Sequence, residues 1–196
     1  SKLVLGVSGG LDSTLALLVA VETMKSLGRD TKDVIGITMP GFGTTNKTLD
    51  NSLKLMELLN ITSITIPIKD ACIQHFKDIN HDINDHSVVY ENGQARERTQ
   101  ILMDYANKVS GLVVGTGDLS ELALGWCTYN GDHMSMYGVN SGIPKTLVRW
   151  MVDTIKELPS FIDCKEVLTD ILDTPISPEL LPPDATGKIQ QKTEDS

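Results

Sequence analysis

The chain has 196 residues, 40% of them hydrophobic, enough to bury one sizeable core, so a single domain is the expectation. Its 26 acidic residues outnumber 17 basic ones, for a net charge of −9. That balance argues against the basic stripe of a nucleic-acid binder and against a face drawn to anionic membranes. An acidic chain can still hold a polyphosphate, given a local device: backbone N–H groups, a few placed Lys or Arg, or a divalent cation.

Taken in chain order, Leu3, Val4, Leu5 and Val7 form a short apolar run closed by Ser8-Gly9-Gly10, the pattern of a buried parallel strand. A strand so near the start suggests a domain excised from something longer. Asp12–Leu27 is helical and apolar nearly all round, with Gly28 suited to the C′ position. Val34–Met39 reads as a strand broken by Pro40-Gly41, Leu49–Leu59 as a helix, Ile61–Ile66 as a strand and Ala71–Ile79 as a short helix. Residues 80–92 look irregular. Ala95–Val109 returns to helix and Leu112–Gly115 to buried strand. Strands alternating with helices predict an α/β fold, a doubly wound parallel sheet with helices on both faces.

After Gly117 the pattern changes. Leu119–Leu124 predicts a short helix, 125–143 is Gly-rich and polar, Pro144–Leu158 is a helix with Pro at its start, and Val167–Leu172 one more short helix. Residues 1–173 therefore read as one domain, and 174–196, with four of the eight prolines, as an extended, mobile tail. Cys72, Cys127 and Cys164 are widely spaced and form no CxxC pair, which suits reduced thiols in a cytoplasmic protein. No signal peptide is expected from this pattern, and no apolar run reaches the ~20 residues of a membrane span. The four histidines show no metal-ligand spacing.

Ser8-Gly9-Gly10-Leu11-Asp12-Ser13 lies between the first strand and first helix. Ligands of open α/β sheets bind beyond the carboxyl ends of strands, where a helix N-terminus presents unpaired N–H groups to an anion. Two glycines let backbone approach phosphate, and two serines add donors. The loop has neither the Gly-Lys-Ser/Thr of a Walker A sequence nor GxGxxG, which disfavours γ-phosphate transfer of that type and a Rossmann dinucleotide site. Asp12 beside phosphate makes sense where a cation bridges them; alone it would be an ordinary first-turn acid. The string resembles the signature loop of the ATP pyrophosphatase superfamily, which cleaves ATP between its α and β phosphates.

Gly115-Thr116-Gly117-Asp118-Leu119-Ser120-Glu121 follows the later strand and so belongs at the same sheet edge. Asp118 and Glu121 alone read as a capping box, a local device. The longer phrase through Trp126 resembles the NAD synthetase signature, most closely that of the long, glutamine-dependent bacterial branch. The resemblance runs from Leu3 to Leu172 and includes Glu91-Asn92-Gly93-Gln94-Ala95 and Gly142-Ile143-Pro144-Lys145-Thr146-Leu147.

The resemblance implies an adenine nucleotide alpha hydrolase-like fold and a ligase that amidates nicotinic acid adenine dinucleotide. The route it implies is an adenylated carboxylate, with ATP cleaved to AMP and pyrophosphate and ammonia as nitrogen donor. It implies that Gly6, Val7, Ser8, Gly9, Gly10, Leu11, Asp12, Ser13, Met39 and Thr116 bind ATP. Asp12 and Glu121 would hold magnesium, and Lys145 would approach phosphate or the adenylate as a third catalytic residue. Asn92, Glu121, Trp126, Cys127, Thr128 and Tyr129 would contact the deamidated dinucleotide. It also implies dimers of this domain and a separate glutaminase domain supplying ammonia. Arg96 and Arg98 could meet phosphate or solvent. The rivals are another adenylating amidotransferase, such as a GMP synthetase, and a nucleotide sensor without chemistry; the second motif disfavours the first, and the pair Asp12 and Glu121 the second.

Overall fold

The computed structural model describes residues 1–174 and 180–181. Its elements are β1 (Leu3–Gly6), α1 (Leu11–Ser26), β2 (Val34–Thr38), α2 (Asn46–Leu58), β3 (Thr62–Thr65), α3 (Lys69–Asp78), α4 (Val88–Val109), β4 (Leu112–Gly115), α5 (Leu119–Leu124), β5 (Tyr137–Gly138), α6 (Lys145–Ile155) and α7 (Lys165–Leu172). Short 3₁₀ turns cover Thr31–Asp33 and Pro159–Cys164.

All strand pairs are parallel, in the order β3-β2-β1-β4-β5. Successive strand residues face opposite sides, so each side needs its own helices. Leu5 joins one apolar cluster with residues of α1, α2, α6 and α7, while its neighbour Val4 joins the other with residues of α3 and α4. The doubly wound sheet expected from the alternation is therefore present. The order in which strands are added reverses at β1, whose neighbours are β2 on one side and β4 on the other. The loops leaving β1 and β4 consequently lie side by side at the switch point, where open sheets place ligands.

Local chemistry explains several boundaries. Helix α1 ends in a Schellman arrangement: Gly28 at φ +64 donates to the Lys25 carbonyl and Arg29 to the Met24 carbonyl. Helix α2 starts three residues before the expected Leu49, because the Thr45 hydroxyl caps it by accepting the Thr48 N–H. Pro144 sits at the N-cap of α6 rather than inside its first turn. Strand β5 and the turn at Pro159–Cys164 were not expected; two residues pairing with β4 carry too little pattern to be seen. The expectation of an extended tail over 174–196 falls, apart from residues 174, 180 and 181, outside the described residues.

The largest difference is the start of α4 at Val88, inside the stretch expected to be irregular. Asn-Gly is a poor helix pair by propensity, and packing overrides it. A Cβ on Gly93 would stand 2.8 Å from Phe76 Cε1, so only glycine lets α4 come this close to α3. The next residue, fully buried Gln94, accepts the Phe42 N–H at 3.2 Å and donates to the carbonyls of Tyr90 and Leu180 at 3.2 and 2.9 Å. These contacts reward helical geometry here.

Gly93→Ala should therefore behave against propensity. In an open helix Ala would gain up to ~1 kcal/mol over Gly. Here the added methyl meets a buried ring, and overpacking costs about 1–3 kcal/mol. Thermal denaturation should show a lower Tm for the variant; a higher one would contradict the α3–α4 contact.

Candidate active site

The loop after β1 is held by its own hydroxyls. Ser13 Oγ donates to the Gly10 carbonyl at 3.0 Å and accepts from the Ser8 N–H at 3.3 Å. The Ser8 hydroxyl lies 3.1 Å from Ser13 Oγ and accepts the Gly10 N–H at 3.2 Å. Thr14 Oγ1 adds a second donor to the Gly10 carbonyl at 2.9 Å. Gly9 has φ +86, and a Cβ there would lie 2.5 Å from the Thr48 carbonyl oxygen, so glycine is required on two counts. No side chain caps α1, whose N-cap is Gly10. Its first-turn N–H groups thus face a site without a local side-chain acceptor, as an anion cradle requires.

Upstream, Val7 donates its N–H to the Ile37 carbonyl at 2.9 Å, fixing the loop to β2. Leu11 is buried beneath it. Met39 lies alongside: its Cε would be 3.4 Å from a Cβ on Gly6.

Opposite this loop stands a charge cluster. The Lys145 ammonium ion-pairs with Asp12, lies 2.8 Å from Asp118 Oδ2 and donates to Glu121 Oε1 at 3.0 Å. One oxygen of each carboxylate lies within 4.8 Å of the others. Burial pushes the Asp12 carboxyl up to about 6 despite the pull of Lys145, and the Glu121 and Asp118 charges add to the rise. Burial alone would lower Lys145, but the Asp12 charge, hydrogen bonds to Asp118 and Asp12, and the Glu121 charge hold it above the ordinary lysine range. The causes differ: burial disfavours the charged form of each group, which raises Asp12, while at Lys145 the surrounding carboxylates outweigh it.

The expected capping box is present and coexists with the cluster. Asp118 Oδ1 accepts the Glu121 N–H at 2.9 Å, and Glu121 Oε2 accepts the Asp118 N–H at 3.2 Å. Each acid thus spends one oxygen on the cap and turns the other toward Lys145. The sequence reading missed Asp118 as a member of this cluster because the cap alone accounted for it. Asp12 Oδ1 is buried and has no hydrogen-bond partner among the described residues. An all-oxygen carboxylate set with a spare buried oxygen fits a hard divalent cation such as magnesium.

The remaining candidates form a rim. Thr128 Oγ1 donates to Asn92 Oδ1 at 2.7 Å, and Arg96 Nε donates to the Tyr129 carbonyl at 3.1 Å, so α4 anchors the 126–129 segment. Thr128 is buried, whereas Trp126, Cys127 and Tyr129 are exposed. Arg98 Nε donates to the Met39 carbonyl at 3.2 Å, so both arginines reach from α4 to loop carbonyls. Thr116 is tied in through its carbonyl, which accepts from Asn140 Nδ2 at 3.0 Å. Neither Asn140 nor Ser120, whose Oγ accepts the Lys145 N–H at 3.1 Å, carried a sequence signal. Among the described residues no helix is long and apolar enough to cross a membrane.

The sequence model of the NAD synthase family matches residues 1–170. The chain belongs to this family. The glutamine-dependent NAD(+) synthetase of Mycobacterium leprae is 44% identical over 195 residues, 96% of this chain and 29% of that protein. The chain thus spans less than a third of that relative's length. Among solved structures, a glutamine-dependent NAD+ synthetase from Acinetobacter baumannii in complex with ADP aligns with TM-score 0.74 and 27% identity, over 86% of this chain and 31% of that one. The NMN synthetase of Francisella tularensis aligns with TM-score 0.77 and 26% identity, over 99% and 71% of the two chains.

In this NAD synthase domain, removing the ammonium exposes the repulsion it masks. Lys145→Met should destabilise the ligand-free chain by about 1–3 kcal/mol, below the ~3–5 of a fully buried pair because the cluster is part-exposed. Millimolar magnesium should restore part of the lost Tm by substituting its charge. Melts with and without magnesium check this; an unchanged Tm would mean the carboxylates do not depend on Lys145.

Proposed function

We propose that this chain is the catalytic part of an NAD synthetase, its unit spanning residues 1–173, amidating nicotinic acid adenine dinucleotide at the expense of ATP. The observation that carries the reading is the cluster of Asp12, Asp118, Glu121 and Lys145 between two loops at the sheet's switch point. The likeness to glutamine-dependent synthetases supports the choice of substrates. In the full-length protein, ammonia would come from glutamine through a separate glutaminase domain. Exposed Leu124 and Trp150 offer apolar surface for the dimer that we infer from the family.

The chemistry answers a leaving-group problem. A carboxylate resists ammonia because oxide would have to leave. Attack of the nicotinate carboxylate oxygen on the α-phosphorus forms a mixed anhydride and breaks the bond to the β-phosphate, releasing pyrophosphate. Ammonia then adds to the carbonyl carbon, loses a proton, and AMP departs with the carboxylate oxygen.

In our reading Gly6 through Ser13 cradle the phosphates, with Thr116 across from them and Met39 against the adenine. Asp12 and Glu121 would hold magnesium, which when bound neutralises charge on the phosphate oxygens. Lys145 supplies a fixed positive charge to the α-phosphate and the adenylate. Asn92, Glu121 and Trp126 to Tyr129 line the approach of the dinucleotide, with Asn92 and Thr128 shaping it through their shared hydrogen bond. Holding the two reactants in line contributes about 7–11 kcal/mol, which suits a site that proposes no covalent enzyme intermediate. The resemblance to an NMN synthetase favours one second reading, in which the shorter mononucleotide is the acid.

Incubation with ATP, magnesium, ammonium and each deamidated acid separates the two. NAD and AMP should form in equal amounts from the dinucleotide. Amide formed only from the mononucleotide would favour the second reading, and neither amide would overturn both.

Glu121→Gln keeps size and can still accept the Asp118 N–H, so its Tm should stay within about 2 °C of wild type. Its rate should fall ~100-fold or more, the scale of losing one preorganised charge. A variant that melts and turns over normally would return Glu121 to the cap alone. Asp12→Asn should likewise keep the fold while slowing pyrophosphate release at limiting magnesium; an unchanged rate would leave Asp12 a structural acid.

A further inference from the structure

Asn140 is fully buried in the loop between β5 and α6, and its side chain bridges two segments far apart in sequence. Nδ2 donates to the Asp12 carbonyl at 2.9 Å and to the Thr116 carbonyl at 3.0 Å. Both contacts are to carbonyl oxygens, so only the amide orientation with nitrogen at this point makes two hydrogen bonds. Oδ1 is buried with no partner among the described residues. Leaving an amide oxygen unsatisfied is unfavourable, so the residue's value lies in its two donations.

Those donations meet the loops that carry the acids. Asp12 stands in the first turn of α1, and Thr116 precedes Asp118 and Glu121 at the start of α5. The third arm is backbone. The Asn140 carbonyl accepts the Ile143 N–H at 2.9 Å, and the Ile143 carbonyl accepts the Leu119 N–H at 3.0 Å. Lys145, two residues beyond Ile143, then enters α6 with its N–H on Ser120 Oγ. All three segments that converge on the cluster are therefore joined through Asn140.

We propose that Asn140 is a positioning residue that sets the spacing of the loops after β1 and β4, and so aligns Asp12, Glu121 and Lys145 for catalysis. It touches none of the cluster's charged atoms; it acts through the backbone that carries them. The catalytic half of this inference rests on the synthetase reading, whereas the structural half does not.

The test uses Asn140→Ser, which keeps one donor, and Asn140→Ala, which keeps none; should the Ala variant fail to fold, Ser carries the test. Amide hydrogen exchange on the ligand-free chain is measured first. Residues 116–121 should exchange about tenfold faster in Asn140→Ser, with residues 34–38 unchanged. Equal rates at 116–121 would overturn the clamp, whatever the chain's activity.

Kinetics follow where the wild type makes NAD. Asn140→Ser should lower kcat about tenfold or more, with KM for ATP moved less than about twofold, because the loop's own hydroxyl network still binds the phosphates. In a Glu121→Gln background the same change should cost less than about twofold, since the alignment it serves is already without its charge. Losses that multiply in the double variant would overturn the positioning role. A wild type that makes no NAD while Asn140→Ser still loosens 116–121 would sink the synthetase reading and leave the clamp standing.

Discussion

The site is organised by repulsion among three carboxylates held within 4.8 Å of one another. Like charges this close do not assemble unaided, and the surrounding structure supplies the compensating positive potential. Lys145 contributes a full charge, matched one donor to one carboxylate. Three helix N-termini add their partial charges: Asp12 lies in the first turn of α1, Glu121 in that of α5, and Lys145 opens α6. The same convergence is suited to phosphate oxygens and a divalent cation. A ligand of that kind would meet a surface whose electrostatics are already set.

The fold serves this convergence. Parallel pairing of β1 with both β2 and β4 puts the ends of the first and fourth strands next to each other, though more than a hundred residues separate them. Helix α4 then acts as a strut for the rim. From one helix, Arg98 reaches the end of β2 at the Met39 carbonyl, while Asn92 and Arg96 reach Thr128 and Tyr129. This arrangement accounts for two arginines that composition would have offered to phosphate, and for Gly93, which brings the strut against Phe76.

Much of this was legible in the amino-acid sequence, for identifiable reasons. Strands β1, β2 and β4 are apolar runs ended by glycine or proline, and both site loops carry their glycines and acids in short contiguous strings. The N-terminal part of α4 was not legible, because Asn92-Gly93-Gln94 reads as a loop until Phe76 and Phe42 are placed beside it. Asp118 was read as a cap, and it is one; its second oxygen acquires meaning only when Lys145, 27 positions on, folds back to it. Asn140 sits in a polar, Gly-rich stretch with no periodicity, so its two long-range hydrogen bonds leave no trace in spacing. What escaped the reading is tertiary contact by single polar side chains, which neither propensity nor pattern encodes.

The central claim is that this site joins a carboxylate to the α-phosphorus of ATP and then releases the acid as its amide. The most direct measurement follows an oxygen atom. With the nicotinate carboxylate of the dinucleotide labelled with oxygen-18, mass spectrometry of the products should find one labelled oxygen in AMP for each NAD formed, and none in pyrophosphate. Label in inorganic phosphate, or AMP without label, would contradict an adenylated intermediate and with it the role assigned to the cluster around Lys145.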